Sequence, residues 1–260
     1  PESGVRMYID GVKLYRQFIE EAPEGPVKEG LIDTLLLIYD RRMEYFGDEG
    51  NVLGRKGKDL LAYRNADIDQ VENAYEMLKR SIDIEGSESQ ESVILLFLRA
   101  GIELNKEGKI DELKLIDNYV MISGTLDQME KNSSRWKRTR ETVNNMILEE
   151  GILSCEALDR YNGIHIEENK LDKNYLETMI SLFESTSCKQ SDEYLAALEN
   201  LHRMDPNPES AHNLGILFIW LSDRSSSLRC FSFLVDLGIR LSLLLLRLTD
   251  LILVFDLNFT

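Results

Sequence analysis

Proline and cysteine are scarce in this chain of 260 residues, which carries five and three respectively. So few prolines leave long uninterrupted stretches, and almost no alternation of Val, Ile or Thr marks a strand, so the composition points to helices. Three cysteines do not make a disulfide framework. Positive charge is also in short supply. Thirty Lys and Arg face 46 Asp and Glu, a formal net charge of -16 with pI near 4.7. Such a surface repels phosphate, which argues against a general nucleic-acid binder. Catalytic signatures are missing as well. There is no Gly-x-Ser-x-Gly elbow and no His-Glu-x-x-His, and His165, His202 and His212 lack the i,i+4 partner or nearby Cys pair that a metal needs. Glu149/Glu150 and Glu167/Glu168 are adjacent in sequence, so a helix points each pair in different directions, as solvated residues. No cofactor motif is present. The expectation is a non-catalytic chain, the alternative being an enzyme whose site is dispersed over distant residues.

What is present is a helical rhythm with punctuation. Met204-Asp-Pro-Asn-Pro-Glu-Ser-Ala-His-Asn-Leu-Gly-Ile-Leu-Phe218 reads as the end of one helix, a turn and the start of another. Asn207 suits an N-cap and Pro208 the first helical position. The small Gly215 then lets a second helix come close. The spacing recurs. Tyr194, Leu198, Leu201 and Pro206 repeat the gaps of Gly11, Tyr15, Phe18 and Pro23, and Ala74, Leu78, Ser81 and Gly86 repeat them again. Phe97, Ala100, Gly101, Leu104 and Gly108 match Ala211, Leu214, Gly215, Phe218 and Ser222. These offsets resemble the tetratricopeptide (TPR) repeat, whose implied fold is an all-α right-handed superhelix of helical hairpins in which each repeat buries its face against its neighbours.

Taken in order, the pattern predicts helices over 3–21 and 27–46, broken by Ala-Pro-Glu-Gly-Pro at 22–26. Val5, Tyr8, Val12, Tyr15, Phe18 and Ile19 form the buried side of the first. The Gly-rich passage 47–59 reads as a connection, with a short helix closing over 60–64. Asp67 caps a helix that ends at Gly86, and Ser87 or Ser89 caps the next. Its run Val93-Ile-Leu-Leu-Phe-Leu98 calls for burial on several sides. Gly108-Lys-Ile-Asp is a tight turn, and 110–129 returns. Shorter helices follow from Cys155, over 174–186 and up to Pro206. Since the chain opens in what resembles a hairpin's second half, it reads as a fragment.

Two basic stretches are the candidate partner-binding residues. Gly50 to Lys56 has glycines too closely spaced for a P-loop and no strand leading in. Arg55, Lys56 and Lys58 remain as an anion or partner contact. Around Trp136, the cluster Lys131-Asn-Ser-Ser-Arg-Trp-Lys-Arg-Thr-Arg140 has two readings. Arg135, Trp136 and Arg138 form a patch for an acidic peptide or single strand, or the stretch is a capped helix start with a solvated basic face and a nearby carboxylate partner. The second is preferred.

Cys155 and Cys188 meet if their helices pack in register. They form a disulfide in an exported protein and stay thiols in cytosol, and buried free cysteine is preferred. Residues 223–260 differ in kind: four Asp and four Arg cancel there, so the whole of the -16 belongs to 1–222. Residues 237–255 are Leu-rich, but Arg240, Arg247 and Asp250 interrupt any membrane span. That tail is either an interface or membrane-surface helix or an aberrant terminus, the latter being preferred. The repeat domain is therefore 1–222.

Tyr8-Ile-Asp-Gly11, Leu31-Ile-Asp-Thr-Leu35, Ile38-Tyr-Asp-Arg-Arg42, Glu44-Tyr-Phe-Gly47 and Val52-Leu-Gly-Arg-Lys-Gly57 resemble a bacterial family of long TPR proteins, over about residues 5–220. The resemblance implies export to the cell envelope and no assigned activity. It also implies a scaffold for a protein or peptide partner, read by shape and charge on the concave side.

Overall fold

The computed structural model describes residues 2–129, 134–149, 153–206 and 214–215. Among them it is all-helical, without a strand. Ten α-helices run in order: α1 (Glu2–Glu21), α2 (Pro26–Phe46), α3 (Glu49–Arg64), α4 (Ile68–Glu85), α5 (Glu91–Lys106), α6 (Glu112–Met129), α7 (Ser134–Glu149), α8 (Cys155–Asn169), α9 (Lys173–Ser185) and α10 (Asp192–Met204). A 3-10 turn, Gly86–Glu88, separates α4 from α5.

Local chemistry sets most of the boundaries. Asp67 and Asp172 accept backbone N–H bonds from Asp69 and Asn174, both at 3.0 Å. Ser154 and Ser191 accept from Ala157 and Tyr194, at 3.1 and 3.0 Å. Each cap satisfies a donor that the helix cannot. Pro26 opens α2, where its missing N–H loses nothing. Gly108, at φ 71, makes the expected turn into α6. The cap expected at Ser87 or Ser89 is absent. Gln90 occupies the N-cap of α5 without a side-chain bond, and the Ser89 hydroxyl is buried with no partner.

The Gly-rich passage is not a connection. Residues 49–64 form the full helix α3, and its glycines turn inward: Gly50, Gly54 and Gly57 are buried. Spaced four and three residues apart, they share one helical face, and α4 lies on that face. Among the described elements α3 and α4 share the most extensive contact. Helical propensity argued for a loop, and tertiary contact overrode it.

Packing follows chain order at first, α1 on α2, α2 on α3, α4 on α5, with α3 also touching α5 and α5 touching α7. The order loosens at α6, which meets α7, α8 and α9. Apolar side chains form two cores. One gathers Val12, Ile19, Ile32, Leu35, Tyr39 and Val52 of α1–α3. The other runs without a break from Val71 to Leu214. Phe18, expected inside, is exposed, with its ring against Tyr15.

Gly101 sits where helices cross, as its offset predicts: a β-carbon there would lie 3.2 Å from Asn118 Nδ2 and 3.6 Å from Tyr75. Gly215 shows no such approach among the described residues. Cys155 and Cys188 are disulfide-bonded, with Cα atoms 5.4 Å apart. This overturns the expected free thiols, because the start of α8 and the turn after α9 are brought together. The rest of the 207–222 helix, the boundary at 222 and the tail lie outside the described residues. Among those described, no helix is long and apolar enough to cross a membrane.

Candidate functional site

α5 buries Val93, Ile94, Phe97 and Leu98, four of the six residues in its apolar run. The other two, Leu95 and Leu96, are half-buried and floor two open clefts. The first, about 540 Å³, lies between α3 and α5, where Lys58, Leu61 and Asn65 face Leu96, Arg99 and Glu103. The second, about 690 Å³, lies at the start of α5 between Glu88, Ser89, Ser92, Leu95 and Trp136 of α7. Lys58 marks the divide, donating a 2.7 Å hydrogen bond to Ser92 Oγ.

The sequence candidates part company here. Lys58 lines the first cleft and Trp136 the second. Arg55, one turn before Lys58, is exposed and donates to Asn51 at 2.7 Å. Lys56 turns the other way and ties α3 to Asp40 of α2 at 2.5 Å. A helix turns by about 100° per residue, so 55 and 58 share a face that 56 does not. Arg138 is exposed on α7, and the Arg135 side chain lies outside the described residues. Arg140 leaves the basic cluster to pair with Asp127 of α6, the carboxylate partner that a basic helix start calls for. Among the described residues Trp136 shares its cleft with Glu88 and Glu91.

Electrostatics distinguish two places. The Lys58 ammonium is pushed below the ordinary lysine range by burial, then by Arg55 and Arg16, with Asp59 opposing. Next to it, Asp59 is only 6% exposed and holds together three helices. Tyr39 Oη of α2 donates to Asp59 Oδ2 at 2.7 Å, and Arg16 Nε of α1 donates to both carboxylate oxygens at 3.1 and 3.0 Å. Burial, with Asp59 beside it, raises the Tyr39 phenol. Burial works against the Arg16 charge, but Tyr39 and Asp59 outweigh it and raise the guanidinium. This cluster fastens α1, α2 and α3 to one another.

Ser92, Arg99 and Asp59 carried no sequence signal, and Ser89 only that of a helix cap. Ser92 meets Lys58 across 34 positions of chain, and no local spacing encodes that. Among the described residues no group of His, Cys, Asp and Glu is placed to hold a metal, and His165 packs against the Tyr161 ring at 4.4 Å. No family model matches the chain, and neither does any curated protein or any solved structure.

Proposed function

We propose that this chain is a TPR-like helical-hairpin scaffold, and that the cleft between α3 and α5 receives a segment of another protein. Counting α3 as a full helix makes five pairs, with α4 and α10 as second members and α5 as a first member, in keeping with their offsets. Contacts between α3 and α5 and between α5 and α7 support this reading, in which first members lie side by side and form the surface such arrays present to partners. α1 becomes a first member, although its offsets are those of a second.

The observation that carries the reading is the cleft itself. It is open, floored by Leu61, Leu96 and Ala100, and edged by Lys58 and Arg99. An apolar floor with a charged rim suits a peptide, which buries side chains at the centre and leaves its polar groups at the edge. Lys58 and Arg99 outnumber Glu103 among the lining charges and favour a segment bearing carboxylates. The Cys155–Cys188 bond supports an oxidising compartment, in keeping with the export that the family resemblance implies.

The experiment is affinity capture with the full chain as bait, against a Lys58→Glu/Arg99→Glu variant of matched stability. Proteins held by the cleft are enriched on the wild-type chain and lost on the variant. Equal recovery on both removes the cleft from the function.

A further inference from the structure

We propose that Ser92 is a nucleophile and Lys58 its general base, together able to hydrolyse small apolar esters through an acyl-serine intermediate. The proposal departs from the expectation of a non-catalytic chain. It shares Lys58 with the α3–α5 cleft but needs no partner there, and an adduct on Ser92 and the capture of a protein are read separately, so either reading can fail alone.

Four observations converge. Lys58 Nζ and Ser92 Oγ are 2.7 Å apart, hydrogen-bonding reach for a nucleophile and its base. The pair is fixed from both sides: Gly57 clamps α3 onto Leu78, and Val93 and Ile94 seat α5 in the core. Second, Lys58 is a lysine whose charged form is disfavoured by burial and by Arg55 and Arg16, against Asp59. Among the described residues the other charged groups lining the clefts are Arg99 and Glu103 on the Lys58 side and Glu88 and Glu91 on the Ser92 side. A depressed lysine supplies free amine nearer neutrality.

Third, Ser92 is the second residue of α5, where a helix has no acceptor of its own for the backbone N–H and its dipole favours negative charge. The Ser89 hydroxyl, in the same cleft, is 97% buried by residue, at 3% exposure, and has no partner. That oxygen is closed off from solvent, so the first-turn backbone N–H groups of α5 are the donors offered to a developing oxyanion. Fourth, Leu95 and Trp136 wall the cleft beside Ser92 and offer an apolar acyl chain a surface.

The chemistry balances with water as the only co-reactant. Ser92 Oγ adds to the ester carbonyl carbon while its proton passes to the Lys58 amine. The bond from that carbon to the alcohol oxygen breaks, the ammonium returns the proton to the leaving oxygen, and an acyl-serine remains. Water then adds in the same way, giving its proton to Lys58. The bond from the carbonyl carbon to Ser92 Oγ then breaks, Oγ takes the proton back from the Lys58 ammonium, and the carboxylic acid leaves with Ser92 and the Lys58 amine restored.

The test treats the full chain with a fluorophosphonate probe and, separately, p-nitrophenyl butyrate. A single adduct maps to Ser92 by mass spectrometry on the wild-type chain, which requires no variant to fold. Lys58→Arg keeps a charged donor but cannot accept a proton near neutral pH, so turnover falls by at least about a hundredfold with an unchanged melting curve. Turnover rises with pH to a plateau whose midpoint lies below the ordinary lysine range. No adduct, an adduct on another residue, or undiminished turnover in Lys58→Arg overturns the proposal.

Discussion

Gly57 of α3 lies against Leu78 of α4 with no room for a side chain. A β-carbon there would sit 2.9 Å from Leu78 Cγ and 3.2 Å from the Ala74 carbonyl oxygen. Gly54 stands likewise against Ser81 and Val93, at 2.7 and 2.9 Å. Ser81 in turn donates to the Gly50 carbonyl at 2.7 Å. The face of α3 without side chains is thus what lets α4 lie so close.

Gly57→Ala is expected to destabilise the fold by about 1–3 kcal/mol, the usual penalty for forcing a methyl group into a packed contact. Gly30 on α2 meets nothing within 4 Å. There the same change is expected to stabilise by about 0.5–1 kcal/mol, through lower chain entropy. Urea denaturation of both variants reads the difference in sign. Two shifts of the same sign would remove the packing explanation.

Asp59→Asn is expected to cost about 2 kcal/mol, the scale of hydrogen bonds to a charged group. The amide nitrogen it introduces turns a donor toward Arg16, itself a donor. Arg16 is 37% exposed, so water screens part of the loss. Tyr39→Phe removes the phenol's bond to Asp59 and the 3.2 Å bond it accepts from Arg16 Nη2, and leaves the ion pair, at about 1 kcal/mol. Thermal melts are expected to rank Asp59→Asn below Tyr39→Phe. The reverse order would mean that the phenol, not the carboxylate, joins the three helices.

Alkaline pH is expected to unfold the chain through its buried tyrosines. Burial, then Asp117, pushes the Tyr161 phenol up to about 12, and Tyr39, Tyr75, Tyr119, Tyr175 and Tyr194 shift the same way, burial leading in each. The unfolded chain releases these protons near the ordinary tyrosine value of about 10 and the folded chain only later. Their stabilisation is therefore complete below that value and lost as pH rises toward 12. Phenolate absorbance and helicity followed together across this range are expected to change as one transition. Phenolate appearing in full well before helicity falls would contradict the burial.

Reducing the Cys155–Cys188 bond, which spans 33 residues of chain, is expected to lower stability by about 3–4 kcal/mol through a freer unfolded state. Urea midpoints with and without a reductant measure it, beside a thiol count that rises by two. An unchanged midpoint would make the bond neutral to folding.

The helices were legible in the sequence because their signals are local. Asp67, Asp172 and the turn at Gly108 act within a few residues of themselves, and the buried positions of α4, α5 and α9 follow from helical spacing alone. Gly101 was read correctly on the same ground. The α3 glycines were not, since a glycine that loosens a lone helix and one that admits a neighbour look alike until the neighbour is in place. Phe18 shows the converse: spacing put it inward, and none of the described helices covers it. The pairs Cys155–Cys188, Arg16–Asp59 and Lys58–Ser92 join residues 33, 43 and 34 positions apart. Periodicity states which face of a helix is apolar. Only the folding of the whole chain decides which two faces meet, because that choice depends on the combined shape and charge of elements remote from one another.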